Sequence, residues 1–265
     1  MKKLLYLLLL ITCYACEDVI DLDLNTEEPR VVIEATGIQN QDSDRGIVNA
    51  RISKTVPYYS ENIEYYSDAE INVRVNDSIY QLTFLENSSY FTDTLPMLYD
   101  ADYELEIIFE NETYTSTTQL FKSVPIDYVE QTNNAIDENF ISINAYFTDP
   151  VEEENFYFFE FYSEEIGVIT DSTDDELFNG NQISTFYADE FETGDQITIT
   201  IQGVSEQFEN FYSILSSQVG ENGGNPFAAN PASVRGNIIN ENNPENYAFG
   251  YFRMSQKYSL VYTVE

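Results

Sequence analysis

Apolar residues recur at every second position through much of this chain, and a period of two admits strands and little else. Between Ala69 and Leu85 two such runs meet at Asn76-Asp77: Ile71, Val73 and Val75 share one face, then Tyr80, Leu82 and Phe84. A second hairpin is expected from Tyr103 to Leu120, with Leu105, Ile107 and Phe109 on one face, a turn at Glu110-Asn111-Glu112, and Tyr114 following. Val31–Ala35, Gly46–Val56 and Tyr90–Leu95 bring the total between residues 31 and 121 to about seven strands, spaced as in a β-sandwich. No helix-period segment interrupts them.

Ser123-Val124-Pro125-Ile126-Asp127 is the expected boundary, because Pro125 ends strand pairing and no Lys or Arg follows until Arg235. Beyond it, strands are predicted at Phe140–Phe147, Asn155–Tyr162, Gln182–Tyr187 and Gln196–Gly203, and finally at Tyr247–Met254 and Tyr258–Val264. One segment has the helical period. Residues 206–219 place Phe208, Phe211, Tyr212, Leu215 and Val219 on one stripe, with Ser205 as N-cap, Glu206 and Glu209 at the positive end, and Gly220 as stop. A Gly-, Asn- and Pro-rich loop covers 221–246. The expected fold is mainly β: an immunoglobulin-like β-sandwich over 31–122, then a second β-rich domain over 123–265 carrying that helix and loop.

The first thirty residues read differently. Lys2 and Lys3 precede the apolar run Leu4–Thr12, which is far shorter than the ~20 residues a spanning helix needs. Ala15 stands before Cys16, and the chain turns acidic at once with Glu17 and Asp18. This predicts a lipoprotein signal peptide over 1–15, acylation of Cys16, and a tether over 16–30. Ordinary cleavage leaving a free Cys16 is the alternative.

Composition then removes whole classes of chemistry. With 47 acidic residues against 11 basic ones, net charge −36, the chain repels nucleic-acid backbones. It has no His, so Ser-His-Asp triads, Cys-His pairs and His-ligated zinc are excluded, and its two Cys lie at 13 and 16. The cluster Asp171-Ser172-Thr173-Asp174-Asp175-Glu176 has the composition of a calcium loop. It lacks Gly at the sixth position and has Gln182 at the twelfth, so a solvated acidic loop is the plainer reading. No metal site and no cofactor beyond the lipid on Cys16 is expected. The aromatic runs Tyr157-Phe158-Phe159 and Phe161-Tyr162 suit a carbohydrate platform in principle, but alternating strand aromatics are more often core.

Several elements together resemble a family of outer-membrane lipoproteins of Bacteroidota, domain of unknown function 4249. They are Cys16-Glu17-Asp18-Val19-Ile20-Asp21-Leu22, Pro29-Arg30-Val31-Val32-Ile33-Glu34, Phe178-Asn179-Gly180, Gly194-Asp195, Asn225-Pro226-Phe227, Val234-Arg235-Gly236-Asn237-Ile238 and Phe249-Gly250-Tyr251-Phe252. The resemblance spans the mature chain and brings no catalytic residues with it. It implies an accessory partner of a TonB-dependent β-barrel receptor, anchored in the outer membrane by lipid. Glu17-Asp18 is similar to acidic signals that send such lipoproteins to the cell exterior.

The function expected is therefore non-enzymatic: a surface lipoprotein that binds an exogenous ligand, or serves as a receptor lid, in nutrient uptake. A surface adhesion module without a transport role is the alternative, and a carboxylate-based hydrolase a more distant one. Contact with partner or ligand is expected in the 221–246 loop, through Phe227, Arg235 and Asn237, supported by the helix. Arg235, the first cation since Lys122, has a competing role: pinning the loop by pairing with a nearby Asp or Glu.

Overall fold

The computed structural model describes residues 28–57, 60, 62–133, 140–151, 153–218 and 234–265. The signal peptide, Cys16, the Glu17-Asp18 pair and Phe227 lie outside the described residues. The N-terminal half forms β1 (Val31–Asn40), β2 (Arg45–Lys54), β3 (Glu70–Val75), β4 (Ser78–Gln81), β5 (Thr83–Leu85), β6 (Tyr90–Pro96), β7 (Asp102–Phe109) and β8 (Glu112–Phe121). Then come β9 (Tyr128–Asn133), β10 (Ile141–Thr148), β11 (Phe156–Ser163), β12 (Gly167–Asp174), β13 (Gln182–Asp189) and β14 (Gln196–Val204). The single helix among the described residues, α1 (Glu206–Gln218), precedes β15 (Ile239–Asn240) and β16 (Phe249–Thr263). The protein is mainly β, as the alternation predicts.

One layer of the first sandwich runs β4-β3-β7-β8, the other β5-β6-β2-β1-β16. Alternate residues of both layers meet inside, where Ile33, Ile52, Leu105, Ile107, Phe109 and Phe252 are fully buried. The turn between β7 and β8 has Glu110 and Asn111 both at positive φ, the two-residue geometry whose twist matches flanking strands. Tyr103, at the start of β7, is buried and its hydroxyl closes the corner from β6. It accepts from the Leu98 N–H at 2.6 Å and donates to the Pro96 carbonyl at 3.0 Å. This is the tyrosine corner of immunoglobulin-like sandwiches. Tyr103→Phe keeps the ring and strands both backbone groups, so a loss of about 1–3 kcal/mol is expected, read as a lower urea midpoint at unchanged slope.

β16 differs from expectation. Tyr247–Met254 and Tyr258–Val264 read as two strands, yet Phe249 to Thr263 is continuous, 15 residues and roughly 50 Å long. Up to Lys257 it pairs in parallel with β1, and from Lys257 onward antiparallel with β14. At Met254 and Ser255 it also meets β8. Ser255 and Gln256, which resemble a break in the sequence, are buried where the two halves meet. Gln256 accepts from the Ser123 N–H and donates to the Gln41 carbonyl.

A division into consecutive pieces at Ser123–Asp127 therefore does not describe the cores. Ile238, Ala248, Phe252 and Met254 belong to the first core, although they follow everything in the second. The second sandwich faces β12-β11-β14-β16 against β13-β10-β9, around Phe147, Tyr157, Phe159, Phe161, Ile199 and Val264. Tyr157, Phe159 and Phe161 are thus core rather than platform. Buried Asp149 accepts from the Tyr157 hydroxyl at 2.6 Å and from the Gly180 N–H at 2.9 Å. The acidic segment from Asp171 is not a free loop: through Asp174 it is edge strand β12, paired with β11, and Asp175 is buried against the Asn155 N–H.

Candidate functional site: an aromatic groove beneath the helix

Ser205 caps α1 by accepting from the Phe208 N–H at 3.0 Å, and Glu206 and Glu209 sit in the first turn. The first half of the stripe is well packed. Phe208 is buried against Phe158, Val204 and Tyr251, with Phe211 and Tyr212 beside them. Tyr212 donates to the Thr170 carbonyl at 3.0 Å, and Glu209 accepts from Ser172, so α1 is tied to β12. Burial beside Asp174 and Asp171 raises the pKa of Glu209.

The second half of the helix projects over β16 and β1 and leaves a groove of about 620 Å³. That volume lies within the range of small-molecule sites. Phe208, Phe211, Tyr212 and Leu215 form one wall; Val32, Phe249 and Tyr251 form the apolar floor. Gly250 has φ +98°, and a Cβ there would stand 1.9 Å from the Ile33 carbonyl oxygen, so only glycine lets β16 lie this close to β1.

Two charged side chains among the described residues line the groove. Glu34 is paired with Arg51, which donates to both carboxylate oxygens at 2.5 and 3.0 Å. That pairing raises the pKa of Arg51. Arg253 has no carboxylate partner among the described residues. Its guanidinium packs against the near-perpendicular rings of Phe158 and Phe208, 5.1 and 5.0 Å from their centroids. Nη1 donates to Gln202 Oε1 at 2.6 Å and Ser255 Oγ at 3.0 Å, and Gln202 in turn donates to Glu160. The head is densely surrounded although the residue keeps some accessible surface at the groove. Burial pulls its pKa down to about 10, so it stays charged at neutral pH.

Of the contact residues expected from the sequence, the structure describes two. Arg235 does not pair with an acid among the described residues; it lies over the Tyr247 ring at 4.4 Å and donates to the Pro244 carbonyl at 3.3 Å. Arg30 lies over the same ring at 4.9 Å. Asn237 exchanges two 2.8 Å hydrogen bonds with the backbone of Phe252, so its amide acts as a bridge to β16. Arg253 escaped sequence reasoning because one Arg within a strand carries no motif. The available signal was its place in an otherwise aromatic stretch, Phe249 to Phe252, beneath a helix with an aromatic stripe.

Two sandwiches sharing one strand, with a capped helix roofing a groove, define a mainly β protein of immunoglobulin-like architecture. The chain belongs to the family described as Domain of unknown function (DUF4249), whose model matches residues 17–260. No curated protein matches it. Among solved structures it is similar to one described as "Cytokine receptor complex - Crystal form 2", with 8% identity, 64% of this chain and 89% of that chain covered, and a TM-score of 0.27. A likeness that slight says nothing about function.

Proposed function

We propose that this protein is a lipid-anchored outer-membrane lipoprotein facing the cell exterior. It binds an exogenous ligand in the groove beneath α1, as an accessory or lid-like partner of a TonB-dependent β-barrel receptor. The groove carries the reading: an aromatic concavity of small-molecule size, with one carboxylate already engaged by Arg51, suits binding more than two-carboxylate hydrolysis. Ala15-Cys16 after a short apolar run supports the anchor, and Glu17-Asp18 supports display outside the cell. Net charge −36 supports a partner that is neither nucleic acid nor an anionic lipid surface.

Affinity-tagged full-length protein extracted from membranes is expected to bring down a large β-barrel. Cys16→Ala is expected to lose palmitate labelling and leave the membrane fraction. Labelled, membrane-retained Cys16→Ala would overturn the anchor, and wild-type protein recovered from membranes without a β-barrel would overturn the receptor partnership.

A further inference from the structure

Arg253 is the one groove-lining cation among the described residues, and the hydrogen bonds it makes leave a specific edge unused. Both bonds come from Nη1, to Gln202 and Ser255, while Nε and Nη2 donate to no described atom. Among the described residues only Ser116 Oγ is a buried side-chain polar atom without a partner, so these two nitrogens are not fully enclosed, and Arg253 lines the groove. Nε–H and Nη2–H project in parallel from one side of the guanidinium plane, the edge that takes a carboxylate through two bonds. Phe158 and Phe208 both pack against the guanidinium, and Gln202 fixes the opposite end, so little side-chain freedom is lost on binding.

The surroundings restrict which anion fits. Arg51 is engaged by Glu34, so among the described residues no second cation completes a phosphate site. Glu34 itself lines the groove, two residues along β1 from Thr36, which lies opposite Arg253 in the β1–β16 register. A dianion would meet that carboxylate across the same floor, whereas a monoanion is balanced by Arg253 alone. The rest of the lining, from Phe211 and Leu215 to Val32 and Phe249, offers apolar surface to the body of the ligand.

We infer that the groove selects monocarboxylates with an apolar body, the carboxylate oxygens seated on Nε and Nη2 of Arg253 and the body lying between the helix wall and the β1–β16 floor. This rests on the reading of the groove as a ligand site and adds the ligand's chemical class. Arg253 is then the anchor, and Gln202 a positioning residue that acts through it.

Calorimetry on the purified full chain with decanoate and decanol separates the two claims, since the probes share a body and differ in the head. Decanoate is expected to bind about 30-fold more tightly than decanol, the value of a charge-assisted bidentate contact in a half-buried site. Arg253→Gln should bring the decanoate-to-decanol affinity ratio close to one, and decanol binding that persists in the variant certifies an intact groove. Should Arg253→Gln fail to fold, Thr36→Glu provides the second test: it sets an internal carboxylate opposite the same edge and should abolish decanoate binding. Equal binding of both probes by the wild type, or a decanoate preference that survives in a folded Arg253→Gln or Thr36→Glu protein, overturns the carboxylate inference and leaves the groove standing. Binding of neither probe overturns the groove as an apolar ligand site, and the inference with it.

Discussion

A chain that stops at residue 246 is expected to show no cooperative unfolding transition in either half. The missing strand β16 lies between β1 and β8 in the first sandwich and borders β14 in the second, so three ladders lose a partner together. Phe252 and Met254 leave the first core, and Val264 leaves the second. Truncating even one such side chain costs about 2–5 kcal/mol, and a domain has only about 5–15 kcal/mol in hand. The newly bared edges of β1 and β14 would also promote aggregation. Residues 31–122 alone share the defect, although their strand pattern and the Pro125 boundary read as a separate β-sandwich. Near-ultraviolet circular dichroism with thermal melts is the measurement. A sharp transition from residues 31–122 would show that the first sandwich closes without its C-terminal strand.

Gly250→Ala is expected to be the most damaging conservative change near the groove. At φ +98° an L-residue is strained, and the added methyl would sit 1.9 Å from the Ile33 carbonyl oxygen and 2.8 Å from its carbon. Strain of about 1–3 kcal/mol and a backbone collision act together, so a loss of about 3–5 kcal/mol is expected. A chain of this size should then melt roughly 10 °C lower. Gly194→Ala is the control, because Gly194 has φ +103° with no atom within 4 Å of its would-be Cβ. It carries the strain without the collision. Equal melting temperatures for the two variants would mean that β1 and β16 do not approach as closely as described.

Local features were legible wherever local chemistry determines the backbone. The α1 stripe and its Ser205 cap, the Glu110-Asn111 turn, and the alternation of Leu105, Ile107 and Phe109 all follow from period and turn residues. Edge strand β12 was not legible, because Asp171, Ser172 and Asp174 face water or α1 rather than a core, and their composition is that of a loop. The parallel pairing of Val32 with Phe249 was hidden for another reason: alternation says which face a residue takes and nothing about its neighbour strand. Ser255 and Gln256 misled because polarity usually marks a turn, whereas here it serves the backbone of two crossing segments. The same logic hid the groove. Its helix wall was visible as a stripe, but its floor comes from residues near 32–36 and 249–253, brought side by side only by the completed sheet.

The shared strand also sets when this chain can begin to be a protein. β1 leaves a ribosome well before β16, so the earlier strand waits for the later one before its ladder can form. Pairings between segments so far apart close large loops, and their entropy holds back folding until β16 has emerged. The first sandwich becomes compact only once β16 has emerged to stand between β1 and β8.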